Sequence, residues 1–330
     1  MMRRSLRATH QVRSVASVIL MLLCAPAFAQ SQVSDPEFLT TVAHPAYTQE
    51  HPRVVVDEAH HNFHTIEGRY RPFAQLLTSD GYEVVPGTAA FGPATLSDVR
   101  VLVIANARGG EAPPDVGKSA FSASECDAIE QWVRNGGSLL LIADHTPFGS
   151  AAYDLAVRFG VQMGKGYVFD ADHSDNNPTF LVFSTDNGLL GNHPVISGRS
   201  APERVRRVVA FTGQSLSVPS GAAALLKLAS SAFEVDSPAP VGALRANGSR
   251  ESHADVPSGA RSDAGRAQGV ALVFGKGRVI VTGEAALFSA QLLKFGQPGV
   301  PDLRFGMNAP GNDDRQFVLN ILHWLSGELH

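Results

Sequence analysis

The run Ser138-Leu-Leu-Leu-Ile-Ala143 is the feature that most limits the folds open to this chain. It is apolar at almost every position, follows Asn135-Gly136-Gly137 and ends on Asp144. A strand on a half-solvated sheet alternates apolar and polar side chains; one without alternation is covered on both faces, as a central strand of a parallel sheet is. Such a sheet needs helices on both sides and crossover connections. The flanking sequence supplies them. Arg53-Val-Val-Val56 reads as a strand, Arg69 to Leu77 has helical spacing through Tyr70, Phe73, Leu76 and Leu77, and Tyr82-Glu-Val-Val85 begins a second strand after Gly81. Val99 to Ala105 is a third, followed by a loop with Gly109, Gly110, Pro113 and Pro114.

Ser122-Ala-Ser-Glu125 has the form of a capping box and opens a helix with Cys126, Ile129 and Val133 on one apolar face. That spacing marks Cys126 as a buried structural thiol rather than a nucleophile. Gly149 to Gly160 reads as a helix, and Arg206 to Phe211 and Ala222 to Leu228 as strands. Val270 to Phe274 and Arg278 to Thr282 form a hairpin around Gly275-Lys276-Gly277. Asp313 or Asp314 caps a last helix whose Phe317, Ile321, Trp324 and Leu325 face the core. Residues 236–268, rich in Ser, Ala, Gly, Pro and Arg without an apolar period, are expected to be a mobile polar insertion. The expected fold is one α/β domain over residues 30–330, a doubly wound and mostly parallel sheet.

The N-terminus points outside the cytoplasm. Arg3, Arg4, Arg7 and Arg13 precede an apolar run from Val15 to Cys24, and Ala25-Pro-Ala-Phe-Ala29 ends in the small-x-small pattern of a signal-peptidase site. The run is too short to span a bilayer. Residues 1–29 are therefore expected to be a signal peptide and the product to be periplasmic or secreted. Without them 23 basic side chains face 31 acidic ones, a net charge near −8 that gives no footprint for nucleic acid, and no membrane span follows. Cys126 is then the one cysteine left, so no internal disulfide forms.

Trp132-Val-Arg-Asn-Gly-Gly-Ser-Leu-Leu-Leu-Ile-Ala-Asp144, continuing to Leu155-Ala-Val-Arg-Phe-Gly160, resembles the core of the class I glutamine amidotransferase-like superfamily. More narrowly it is similar to bacterial domains of unknown function on that fold, which also occur attached to secreted glycan-degrading enzymes, and to the intraflagellar-transport-type domain. Val54 to Asn62, Gly275 to Glu284 and Phe305 to Gly311 support the resemblance. It implies a flavodoxin-like sheet. In amidotransferases the strand equivalent to Ser138–Ala143 leads into a tight turn bearing the catalytic Cys between glycines; here that turn reads Asp144-His145-Thr146-Pro147. Neither Cys nor Ser stands there, and Thr146 lacks flanking glycines, so amidotransferase and triad chemistry are disfavoured.

In open α/β sheets ligands bind beyond the carboxyl ends of the strands. Three strands here run into titratable residues: Asp57-Glu58-Ala-His60-His61, Asp144-His145 and Gly283-Glu284, with the Asn308 loop a candidate border. Asp144, His145 and Glu284 are the catalytic candidates, and Asp57, Glu58, His60, His61 and Asn308 the ligand-binding ones. Imidazole with carboxylate suits a divalent metal that activates water for hydrolysis of a glycan or related bond. The same groups serve as acid and base without metal, or bind the hydroxyls of a small polar ligand or carbohydrate without turnover. Asp57 and Asp144 also suit plain capping of backbone amides. Spacing does not choose among these, since no strict ligand motif is present. The acidic patch Asp170, Asp172, His173, Asp175 reads as a solvated loop, His193-Pro194 as a turn, and His64 and His323 as surface or packing residues.

Overall fold

Seven strands build the central sheet of the computed structural model, which describes residues 31–175, 177–237, 256–294 and 301–330. They are β1 (Arg53–Asp57), β2 (Glu83–Gly87), β3 (Val101–Ala105), β4 (Ser138–Ile142), β5 (Ala223–Lys227), β6 (Ala267–Phe274) and β7 (Gly277–Thr282), in the order β2-β1-β3-β4-β7-β6-β5. Neighbours from β2 to β7 are parallel. β6 runs against β7, and β5 against β6. The 2-1-3-4 opening is the flavodoxin-like order, which leaves a crevice at the carboxyl ends where the chain reverses its winding.

The sheet is covered on both faces, as the unbroken apolar run of β4 requires. Successive side chains of a strand point to opposite sides. Leu140 and Ile142, with Val54, Val56, Val101 and Val103, pack against Phe73, Leu76 and Leu77 of α1 (Arg71–Ser79) and Phe317 and Ile321 of α4 (Asp314–Ser326). Leu139 and Leu141, with Leu102, Ile104, Val279 and Val281, pack against Ile129 and Val133 of α2 (Ala123–Arg134) and Leu155 and Ala156 of α3 (Phe148–Ala156). Each fully buried leucine contributes roughly 1.5–3 kcal/mol over its exposed state. The β6–β7 hairpin turns at Gly275-Lys276, between the paired Phe274 and Gly277. Gly275 has φ +63° and a Cβ there would lie 2.5 Å from the Arg134 carbonyl, so only glycine lets the hairpin sit against the end of α2.

Three small antiparallel sheets flank the core. One joins Ser31–Ser34, Ala290–Lys294 and Leu303–Gly306, another Phe180–Ser184 and Arg207–Phe211, and the third Tyr167–Phe169, Phe233–Val235 and Arg261–Ser262. The chain is a single α/β domain. No helix among the described residues is long and apolar enough to cross a membrane.

Several local expectations change. Residues 1–29 and the cut after Ala29 lie outside the described residues, as do 238–255 of the polar segment. Its far end is ordered: Arg261–Ser262 is a strand, Asp263 is buried, and Ala267-Gln268 belongs to β6. Composition conceals this because short strands are held by backbone pairing rather than by an apolar period. Neither Asp313 nor Asp314 caps α4 through its side chain. Asp313 instead accepts the amides of Arg206 and Arg207, and Asp314 that of Val209 at 3.0 Å. Asp170 is not solvated; it is buried and accepts the amides of Asp172 and His173 and the Ser231 hydroxyl. His64 and His323 are both buried, the latter donating to Asp80 at 2.7 Å.

Candidate functional site

Four adjacent parallel strands end on one edge, and each delivers a polar side chain just past its last residue or at it: Asp57 from β1, Asn106 from β3, Asp144 from β4 and Glu284 from β7. Hydrogen bonds stitch these ends together. The Phe63 amide donates to the Asn106 carbonyl at 2.9 Å, and the Asp144 amide to Asn106 Oδ1 at 2.9 Å. Gln214 Nε2 donates to the carbonyls of Ala143 and Asp144 at 2.7 and 3.0 Å, while its amide donates to the Gly283 carbonyl. Asn106 holds φ +50°, a left-handed conformation that asparagine tolerates better than most residues. Sequence reasoning passed over it, although an Asn directly after an apolar strand was the available signal.

The group after β1 is closed on itself. Asp57 is fully buried and accepts His60 Nδ1 at 2.8 Å and Asn62 Nδ2 at 2.9 Å. The other ring nitrogen of His60 donates to Glu125 Oε1 at 2.9 Å, and the ring lies between Phe91 and Phe121. Burial pulls the imidazole down, but the Asp57 and Glu125 carboxylates outweigh it and hold His60 above its ordinary value. Burial likewise opposes the charge on Glu125, yet the Ser122 amide and hydroxyl, His60 and the Phe91 amide bring it down to about 2. Glu125 also closes the capping box of α2, so a helix cap doubles as the anchor for the β1 loop. Glu58 is occupied by the Ile66 amide at 2.8 Å. His61 turns outward, 3.8 Å from Glu111, and Asn308 is engaged with Asp35 and Gln291 beside the N-terminal strand. Asp57, Glu58, His60 and Asn308 are thus engaged with the protein, and His61 is exposed.

The group after β4 and β7 is different. Glu284 is fully buried, and its two oxygens accept the amides of Ala286 and Leu287 at 2.6 and 2.8 Å, ordering the short turn Ala286–Phe288. Burial first, and then the neighbouring Asp144 charge, push its carboxyl well above the usual range. Burial raises Asp144 as well, against the pull of His145 and Asn106. Two carboxyls in one low-dielectric space cannot both ionise cheaply, so the pair retains a proton above the ordinary carboxylate range. Asp144 keeps 17% of its side chain exposed. His145 donates Nδ1–H to the Thr146 carbonyl at 2.9 Å, which leaves Nε2 without a hydrogen-bond partner, 3.8 Å from Asp144 Oδ1. Its ring stacks on Tyr167 at 3.9 Å between centroids.

The surroundings of this pair were not legible in the sequence. Tyr70 is buried, donates to the Ala285 carbonyl at 2.9 Å, and is raised by burial and by the nearby Glu284 and Asp144. His64 stacks on Tyr70 at 4.4 Å; burial and the Arg69 charge drop it to about 3, so it is neutral, and its Nδ1 has no hydrogen-bond partner. Phe63, 41% exposed, contacts His64 on one side and Phe148 on the other, and Phe148 borders His145. The Arg69 guanidinium lies 4.4 Å over the Phe63 ring. The result is an aromatic rim beside an unpartnered imidazole nitrogen and a mostly buried carboxyl.

A divalent metal does not fit. Among the described residues no three His, Cys, Asp or Glu side chains are disposed to hold an ion. Asp57, His60 and Glu284 already have their polar atoms committed to the protein. A thiol nucleophile is equally out of place: Cys126 is buried in α2, where burial pushes it to about 11.

No family model matches the sequence, and no curated protein does. Solved structures do. The mmIFT52 N-terminal domain superposes with a TM-score of 0.56 at 15% identity, covering 83% of this chain and 97% of that one. A cytoplasmic protein from Salmonella typhimurium gives 0.46 at 13% identity, over 83% and 98% of the two chains. A ThuA-like protein from Bacteroides uniformis gives 0.38 at 14%, over 88% and 95%. At 15% identity the mmIFT52 match is a likeness of architecture, and with the strand order it gives the chain a flavodoxin-like α/β fold.

Proposed function

We propose that this is an exported protein, mature from Gln30, whose amidotransferase-like domain binds a small polyhydroxylated ligand, a carbohydrate by preference, around Asp144 and His145. The resemblance to secreted bacterial domains of unknown function is part of that proposal. The observation that carries it is His145. Its Nδ1 is fixed by the Thr146 carbonyl, its Nε2 is open, and with Asp144 it follows β4, the position to which the sequence resemblance assigns an amidotransferase nucleophile. A carboxyl raised by burial and an imidazole nitrogen without a protein partner supply hydrogen-bonding groups to hydroxyls. The rings of Phe63, Phe148 and Tyr167 suit the C–H face of a sugar, in the usual mixture of apolar walls and few polar groups. Metal-assisted hydrolysis, the other reading of the same residues, has no three-residue donor set among the described residues to support it.

Calorimetric titration with a panel of neutral and acidic mono- to trisaccharides tests the reading. At least one class should bind, and His145→Ala should weaken it by about tenfold or more while the melting temperature stays near that of the parent. Absence of binding across the panel, or binding indifferent to His145→Ala, overturns it.

A further inference from the structure

We infer that the ligand carries a carboxylate, held by the guanidinium of Arg69 at the aromatic rim. This rests on the reading of Asp144 and His145 as a sugar site and adds the charge of the sugar. Arg69 is the exception among the partly buried arginines of the described residues. Each of the others donates to a carboxylate, a hydroxyl or a backbone carbonyl, as Arg53 does to Asp98, Arg199 to Glu203 and Arg315 to the Thr41 carbonyl. Arg69 has no hydrogen-bond acceptor among the described residues, and its guanidinium lies over the Phe63 ring. Burial lowers it, and no acid stands close enough to raise it again. A guanidinium taken part-way out of water without an anion is an unfavourable arrangement, and it is relieved when an oxyanion arrives.

A second observation lies beside it. His64 is 4% exposed, neutral, and leaves Nδ1 without a partner. Buried polar atoms in native proteins almost always have partners, so one left without calls for an explanation, and a ligand group at the rim would supply it. Arg69, Phe63, Phe148 and His145 are linked in turn at 4.4, 5.7 and 6.5 Å, so the guanidinium belongs to the same aromatic rim as His145. A single guanidinium without a partner cation matches a monoanion better than a phosphate dianion. The sugar class is therefore a uronate.

The test uses the whole mature protein and matched probes: di- and trisaccharides of galacturonate and glucuronate, their neutral galactose and glucose counterparts, and glucose 6-phosphate, titrated at low and at high salt. Uronates should bind about tenfold or more tighter than the neutral partners, and high salt should reduce that advantage. Arg69→Gln should collapse the ratio toward one. Arg69→Lys should restore part of it, because an ammonium keeps the charge but loses the bidentate fork. Equal affinity for neutral and acidic sugars, unchanged in Arg69→Gln, overturns the carboxylate while leaving the sugar site standing. Preference for glucose 6-phosphate over the uronates overturns it too. If no sugar of either kind binds, both readings fall together.

Discussion

The same side-chain types meet twice on one edge of the sheet, with opposite results. After β1, Asp57, His60 and Glu125 form a carboxylate–imidazole–carboxylate chain in which both ring nitrogens are bonded, at 2.8 and 2.9 Å, and a helix cap closes the far end. After β4 and β7, Asp144, His145 and Glu284 leave an imidazole nitrogen and part of a carboxyl open. The first cluster is a clasp, and the second has capacity for a ligand. Residue identity does not separate them; the commitment of each polar atom does.

The largest effect should come from breaking the clasp. Asp57→Ala leaves the His60 ring and the Asn62 amide without their acceptor in a buried space, and removal of one partner from such a pair typically costs about 3–5 kcal/mol. Urea denaturation should show a loss of that order. Asp144→Ala should cost about 1 kcal/mol or less, because its carboxyl is held unfavourably by burial, yet weaken ligand binding about ten- to a hundredfold. A reversal of these two results would exchange the roles of the clusters.

Acidity should separate Glu125 from the Asp144–Glu284 pair by sign. Glu125 is depressed from 4.5 to about 2, so its contribution to stability is full above 4.5 and is lost as pH falls from there toward 2. His60 is raised, so its contribution is present below its ordinary 6.5 and is lost as pH rises through the raised value. Asp144 and Glu284 are raised carboxyls: the folded protein keeps protons that the unfolded chain has released, and stability declines as pH climbs above the ordinary carboxylate values of 3.8 and 4.5. Urea midpoints measured across this range should show a flatter acid limb in Glu125→Gln and a flatter decline above it in Asp144→Asn. Parallel curves for both variants and the parent would mean that neither cluster is coupled to folding.

The fold was legible for a local reason. Ser138 to Ala143 lacks alternation, and only a doubly covered parallel strand explains that, so the ends of the neighbouring strands had to share an edge. What was not legible depends on contacts distant in sequence. His60 is closed by Glu125, 65 residues away, and nothing near either residue announces the pairing. Arg69 reads as the start of a helix, and its exposure to a ligand depends on where Phe63 lies. Arg261–Ser262 is held by backbone pairing with Phe233 and Glu234, which composition cannot register.

The smallest effect sharpens the comparison most closely, because it sets neighbours in one loop against each other. His60 and His61 are adjacent, yet the first is buried between two carboxylates and the second is 45% exposed, with only Glu111 at 3.8 Å. Exposed ion pairs at that distance contribute little. His61 also sits at φ +53°, where alanine is no better accommodated than histidine, so the substitution leaves the backbone strain as it was. His61→Ala should therefore change stability by no more than about 0.5 kcal/mol and leave sugar binding intact. His60→Ala should cost several times as much, through a buried cavity and two carboxylates that lose their shared cation. Denaturation of the two variants side by side checks this. A loss of binding in His61→Ala at unchanged stability would extend the ligand site across to the β1 loop and remove the boundary drawn between the two clusters.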